Sequence, residues 1–297
     1  MSMASDPKLR PPHLRRSWLF VPGLDRQRHR QALEVRADVV VADLEEFTKA
    51  DERPQAYVAI QDLMAECRQS GVVGAVRVNQ LGRGGKEDLR GVMPSAPAAI
   101  FLPHVERAAQ IIELDEEISK LEKAFSLAHG TTEIVPTLES ARGVVNIQSI
   151  LGASQRVTAC LLAAEDLSAS LDVVRGADAI ELRHVRSRFQ VDCTAADCVP
   201  IDCPFSYNDS NAIKADLAWA RRIGLKARCT VYPQQVTYIH AAFSLSDAEQ
   251  AAAIDVLRRF ESGEKDCFGM TIDPPDYYTA MRLLSRQAQL SEWENKP

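Results

Sequence analysis

Nowhere does the 297-residue chain approach the run of about 18 apolar residues that a membrane-crossing helix needs. Its opening stretch, MSMASDPKLRPPHLRR, carries no apolar segment of the kind a secretory signal requires. No cysteines pair into a CxxC motif. The seven present (Cys67, Cys160, Cys193, Cys198, Cys203, Cys229 and Cys267) are odd in number, and the five-residue steps from Cys193 to Cys203 match no common zinc spacing. They read as reduced thiols used as small core residues, and cytoplasm is the expected compartment. Positive charge is not in excess either. The net charge is −6 with Arg and Lys scattered among acids, which gives no footprint for nucleic acid and no basic face for a membrane surface. No GxGxxG follows the first apolar run, which counts against a dinucleotide site.

What is there is an ordinary globular balance, 46% hydrophobic and 26% charged, in a chain long enough for one large domain. Short apolar runs alternate with amphipathic stretches over most of the length, as in repeated strand–helix units on a parallel sheet. Runs at 17–21, 39–42, 74–78, 99–102, 133–137 and 156–163, with weaker ones at 199–203 and 227–231, make eight strands. Helices are expected at 53–70, 105–127, 141–151 and 210–223. Eight such units close into a barrel, so the fold class is α/β, a (β/α)₈ TIM barrel over residues 1–244. Residues 245–297, opening with a helix at 245–261, form a C-terminal helical extension suited to docking on a neighbouring subunit.

Barrel active sites lie where the strands end, so polar residues there carry the chemistry. The second strand ends in Asp43-Leu44-Glu45-Glu46 and the third in Arg77-Val78-Asn79. The fifth runs into Glu139 and the sixth into Glu165-Asp166. Two carboxylates on neighbouring strand ends make an open oxygen site of the kind Mg²⁺ prefers. A cation there polarises a keto or alkoxide oxygen, while Arg77 offers a fork for a carboxylate or a developing enolate. The alternatives are a solvated rim of charge, an ion pair of Glu139 and Asp166 with Arg142, and for Arg77 a salt bridge holding the end of the third strand. Asp43 and Glu45 read as groups that orient metal-bound water, or as plain strand-end hydrogen-bond acceptors. His104 is either structural or a base. The glycines of GRGG (82–85) read as a flexible loop over the barrel mouth rather than a phosphate cradle.

The motifs resemble, in order, those of citrate lyase β-subunit-like and malyl-CoA lyase-like proteins of the HpcH/HpaI aldolase superfamily. RRSWLFVPG (15–23), VVVADLEE (39–46), VRVN (76–79), FLPHVE (101–106), LESARGV (138–144) and AAEDL (163–167) carry the likeness. ELRHVRSRF (181–189), YPQQV (232–236) and GMTIDPP (269–275) extend it to almost the whole chain. The resemblance implies a (β/α)₈ barrel assembling as a homotrimer or hexamer. It also implies Mg²⁺-dependent cleavage of a 3-hydroxyacyl thioester, of citryl-, malyl- or citramalyl-CoA type, into an acyl thioester and a 2-oxo acid. Glu139 and Asp166 would then bind the metal, with Glu139 also touching substrate. Arg77 would hold substrate and thioester carbonyl, and Asp273 would act as acid/base. CoA would meet basic residues near the barrel mouth, with Arg16 and Arg26 as candidates beside Arg15 and Arg28. Departures from the pattern are Glu46 closing the DLEE stretch, His104 where relatives carry Lys, Tyr232 in place of the usual IHPSQ-like run, and Ala163 in place of Gly. Other functions open to the same constellation are an aldolase acting on a free hydroxy-oxo acid, a thioesterase on the same acyl-CoA, and a non-catalytic acyl-binding subunit.

Overall fold

In the computed structural model, which describes residues 9–265 and 270–295, eight short strands run parallel and close on themselves in sequence order. They are β1 (Ser17–Pro22), β2 (Val39–Asp43), β3 (Val73–Arg77), β4 (Ala99–Leu102), β5 (Glu133–Leu138), β6 (Ala159–Leu162), β7 (Val199–Asp202) and β8 (Ala227–Thr230). Closure is made by Ser17, Trp18 and Leu19 of β1 against Arg228, Cys229 and Thr230 of β8. The helices are α1 (Arg26–Glu34), α2 (Arg53–Gln69), α3 (Gly85–Val92), α4 (Ala108–Ala124), α5 (Ala141–Val145), α6 (Ile147–Leu151), α7 (Ala164–Ser170), α8 (Arg183–Ala195), α9 (Ser210–Arg222), α10 (Gln235–Ala242), α11 (Asp247–Ser262) and α12 (Pro274–Glu294).

Strands such as Val39-Val40-Val41-Ala42 read as unbroken apolar runs because both faces are covered. Alternation splits them between two cores. Trp18, Phe20, Val39, Val41, Val73, Ala75, Phe101, Val135 and Leu161 fill the barrel, with Phe101 edge-on to Trp18 and Phe20 at 5.6 and 5.4 Å. Leu19, Val40, Val76, Ile100 and Ile134 face the helices. The same alternation carries Asp43 onto the face of Val39 and Val41, Arg77 onto that of Val73 and Ala75, and Glu139 onto that of Val135. The polar residues at the C-terminal ends therefore continue the inward rows.

The opposite rim is locked by ion pairs. Arg15 grips Glu133 at the start of β5 with two bonds of 2.6 and 2.8 Å. Arg16, with its amide and guanidinium, holds Asp38 just before β2. Arg16 is 2% exposed and precedes β1, so it lies at the N-terminal end of the barrel, away from the mouth where CoA was expected to meet it. Burial in an ion pair is what the RR of RRSWLFVPG encodes. Arg26 does follow β1, but its guanidinium pairs with Asp62 of α2 at 2.6 Å on the surface.

The GRGG segment is a tight junction, not a flexible loop. Leu81–Arg83 forms one 3₁₀ turn, Gly84 takes φ +99°, and Gly85 opens α3. A side chain at Gly85 would place its Cβ 2.1 Å from the Asn79 carbonyl oxygen, so only glycine passes there. All six described cysteines are free and buried, and Cys267 lies outside the described residues. No helix among the described residues is long and apolar enough to cross a membrane.

The chain divides into two compact units, Met1–Ile239 and His240–Pro297, a division that falls within α10 where the sequence suggested residue 245. The second unit is built on α11 and α12. A Ser246–Glu249 capping box starts α11, Gly263 at φ +66° ends it, and Phe260 stacks on Tyr277 at 4.2 Å. Asp273 is the N-cap of α12, yet its carboxylate makes no capping bond. Pro274 and Pro275 occupy the first two helical positions and lack the amide donors that a cap usually engages.

Candidate active site

Arg77 ends β3 beside Asp43, which ends β2 and is its register partner. The two meet in a two-pronged pair, Nε to Oδ1 and Nη2 to Oδ2, both at 2.7 Å. Asp43 is fixed in turn by the amides of Glu45 and Phe47 at 3.0 and 3.2 Å. Its carbonyl accepts from the Thr48 hydroxyl at 2.6 Å, which ties down the turn after β2. Asp43 thus engages Arg77 through both carboxylate oxygens. Burial works against the Arg77 charge, but Asp43 outweighs it, and the guanidinium is held protonated more strongly than a free arginine. Phe20 lies under it with the ring centroid 5.2 Å away. Nη1 is the loosest nitrogen, with Glu45 Oε2 at 3.4 Å.

Glu139 follows β5 and is buried. Burial raises its carboxyl pKa to about 8; Arg77 opposes the rise, and the charges of Glu45, Asp166 and Glu46 add to it. Glu45 is also raised, by burial first and by Glu46 and Asp43 as like charges. One end of the barrel thus gathers Asp43, Glu45 and Glu46 about Arg77, with Glu139 beside them and Asp166 close enough to act on Glu139. Asp166 is exposed in the first turn of α7. Its neighbour Glu165 accepts from Ser206 at 2.7 Å. Arg142 takes no part, pairing with Glu106 at 3.7 Å.

His104 is open in sequence between a structural residue and a base. Its Nδ1 lies against Glu139 Oε2 and its Nε2 is 3.6 Å from Glu45 Oε1, so the imidazole bridges two carboxylates. Asn79, buried past β3, bonds the Leu44 carbonyl and Asp88 and braces the same end of the barrel. Neither partner set has a periodicity that sequence could reveal.

A family model described as HpcH/HpaI aldolase/citrate lyase matches residues 16–228. The chain belongs to this family. Citrate lyase subunit beta of Leuconostoc mesenteroides subsp. cremoris is 28% identical over 91% of this chain and 92% of that protein. The L-malyl-CoA/beta-methylmalyl-CoA lyase of Rhodobacter capsulatus is 24% identical over 92% of each. Among solved structures, the Mycobacterium tuberculosis CitE protein in complex with magnesium, acetoacetate and coenzyme A superposes with a TM-score of 0.74 at 25% identity, covering 92% of this chain and 97% of that one. Within the matched residues, Arg16 and Arg186 are held in buried ion pairs, whereas Arg77 and Glu139 lie at the C-terminal ends of their strands. Asp273 belongs to the second unit.

Proposed function

We propose that this family member is a Mg²⁺-dependent carbon–carbon lyase that splits a 3-hydroxyacyl-CoA of the citryl, malyl or citramalyl type into an acyl thioester and a 2-oxo acid. The observation that carries the reading is the gathering of Glu139, Asp166 and Arg77 at one end of a barrel whose M. tuberculosis relative holds magnesium, acetoacetate and coenzyme A together. Glu139 and Asp166 supply hard oxygen donors. Among the described residues no group of three or more His, Cys, Asp or Glu side chains is assembled around a metal position. Two carboxylates with the remaining positions left to water and substrate suit Mg²⁺, which keeps several waters. Glu45, Asp166 and Glu46 add to the rise that burial gives the Glu139 carboxyl, and a divalent ion would offset that gathering of acids. The buried Thr137 hydroxyl, one inward position below Glu139, has no partner among the described residues, and an ordered water would satisfy it.

Mg²⁺, when bound, polarises the oxygen that becomes the 2-oxo group. Arg77 meets the charge that develops on the thioester carbonyl as the carbon–carbon bond breaks. Its clamp by Asp43 means that little reorganisation is needed at that moment. The acid/base role that the resemblance gives Asp273 falls to that residue of a neighbouring copy: it takes the proton of the 3-hydroxyl, and the electron pair of the broken bond passes to the thioester enolate, which is then protonated at carbon. The carboxylate left unengaged at the α12 N-cap supports that assignment. The reading extends to a homotrimer or hexamer. The buried free thiols support a reducing compartment such as cytoplasm.

Purified protein with Mg²⁺ should release a 2-oxo acid from at least one of malyl-CoA, citramalyl-CoA and citryl-CoA. Chelation should abolish the release, and Glu139→Ala should lose Mg²⁺ binding while staying folded. Activity on a free hydroxy-oxo acid with none on any thioester would overturn the thioester reading in favour of an aldolase.

A further inference from the structure

His104 sits two residues past β4 in a backbone conformation that few side chains adopt. Its φ of +53° falls in the left-handed region, where His, Asn and Asp are over-represented. Contacts outside the site hold the turn. Gln110 Nε2 donates to the His104 carbonyl at 3.1 Å, and Gln110 Oε1 accepts from the amides of Glu106 and Arg107 at 2.8 and 3.0 Å. In this conformation the His104 amide donates to Glu139 Oε2 at 3.2 Å, and the ring sets Nδ1 against the same oxygen. The far ring nitrogen reaches Glu45 Oε1 at 3.6 Å. Among the described residues Glu139 Oε1 accepts no hydrogen bond. One oxygen of Glu139 is therefore occupied twice by a single residue, and the other is left open.

We propose that His104 is a positioning residue that makes Glu139 a one-oxygen metal ligand, reserving Oε1 for Mg²⁺ and tying Glu45 to the same site. The proposal rests on the Mg²⁺ reading above. A bare carboxylate beside Glu45 and Asp166 would rotate away from its neighbours, because like charges repel across a buried, weakly screening space. The double contact from His104 opposes that rotation, and groups that orient metal ligands in this way set metal affinity. With 40% of its side chain exposed, His104 also forms part of the wall that an incoming substrate meets.

The decisive variant is His104→Gly, which keeps the left-handed backbone and its amide while removing the imidazole. His104→Asn, which tolerates the same backbone, supplies a shorter donor able to reach only one carboxylate. Mg²⁺ affinity is read by titration calorimetry, alongside kcat and KM on a thioester that the native protein cleaves. His104→Gly should weaken Mg²⁺ binding about tenfold and lower kcat more than it raises KM, with His104→Asn in between. Melting temperatures measured in chelator should match the native protein, which separates positioning from a structural role. Unchanged Mg²⁺ affinity in His104→Gly overturns the proposal. So does tighter binding, which would mean that His104 competes with the cation. Native protein that binds no Mg²⁺ at all overturns the metal reading, and this inference with it.

Discussion

Glu139 carries a proton that its surroundings favour. Its carboxyl is pushed from an ordinary 4.5 to about 8, by burial first, so between those values the metal-free folded chain binds a proton that the unfolded chain has released. The stability contributed by that proton is complete below pH 4.5 and drains away as pH rises toward 8, at up to about 1.4 kcal/mol per pH unit. Glu139→Gln, which cannot lose the proton, should therefore melt higher than the native protein at pH 8 in chelator and equally at pH 4.5. Saturating Mg²⁺ should close the gap by stabilising the native form alone. Scanning calorimetry across that range checks it, and a difference independent of pH would overturn the account. Arg77 and Glu139 were legible in sequence because strand parity turns them inward at strand ends. Asp43 was legible as a site residue, but its partner was not, since the pairing with Arg77 depends on the β2–β3 register. His104 was hidden for a similar reason, because its contact with Glu139 spans 35 positions and depends on one left-handed turn.

Strands were more readable than helices. Each of the eight apolar runs contains or overlaps its strand, and 99–102 coincides with β4. The run at 156–163 shortens to Ala159–Leu162, preceded by an isolated bridge from Val157 to Ile134, while the Arg156 guanidinium turns onto Glu122 and Asp115. Helices α1 and α8 are so rich in Arg and Gln that packing rather than pattern decides them. The single helix expected over 141–151 breaks at Asn146, whose side chain bonds the Glu106 carbonyl at 2.9 Å. The junction at Gly85 yields a prediction for this scale. Gly85→Ala should destabilise the barrel by about 2–3 kcal/mol, because a Cβ there meets backbone that no rotamer change can move. Urea unfolding measures this loss. A change under about 0.5 kcal/mol, the range of ordinary surface substitutions, would mean that the turn has an easy alternative.

Across the molecule, the last quarter of the barrel hangs on a buried network of four charges. Arg186 of α8 bonds Asp202 of β7 and Asp216 of α9, and Arg228 of β8 reaches both of the same carboxylates. Arg186, Asp202 and Arg228 are wholly enclosed. Arg186→Met should cost about 3–5 kcal/mol, because two buried acids are left to share Arg228 as their one counter-ion in the network. The double change Arg186→Met with Asp216→Leu should cost less than the sum of its parts, and strict additivity in denaturant melts would refute the network. Closure has a further consequence, in time rather than in energy. Because β1 pairs with β8, no partial chain emerging from a ribosome can complete the sheet, and each must carry open strand edges until Ala227–Thr230 has been made. Such edges are templates for pairing with other chains. Synthesis of this protein therefore passes through a long interval in which its own first strand is its chief hazard, ended only when the eighth arrives beside it.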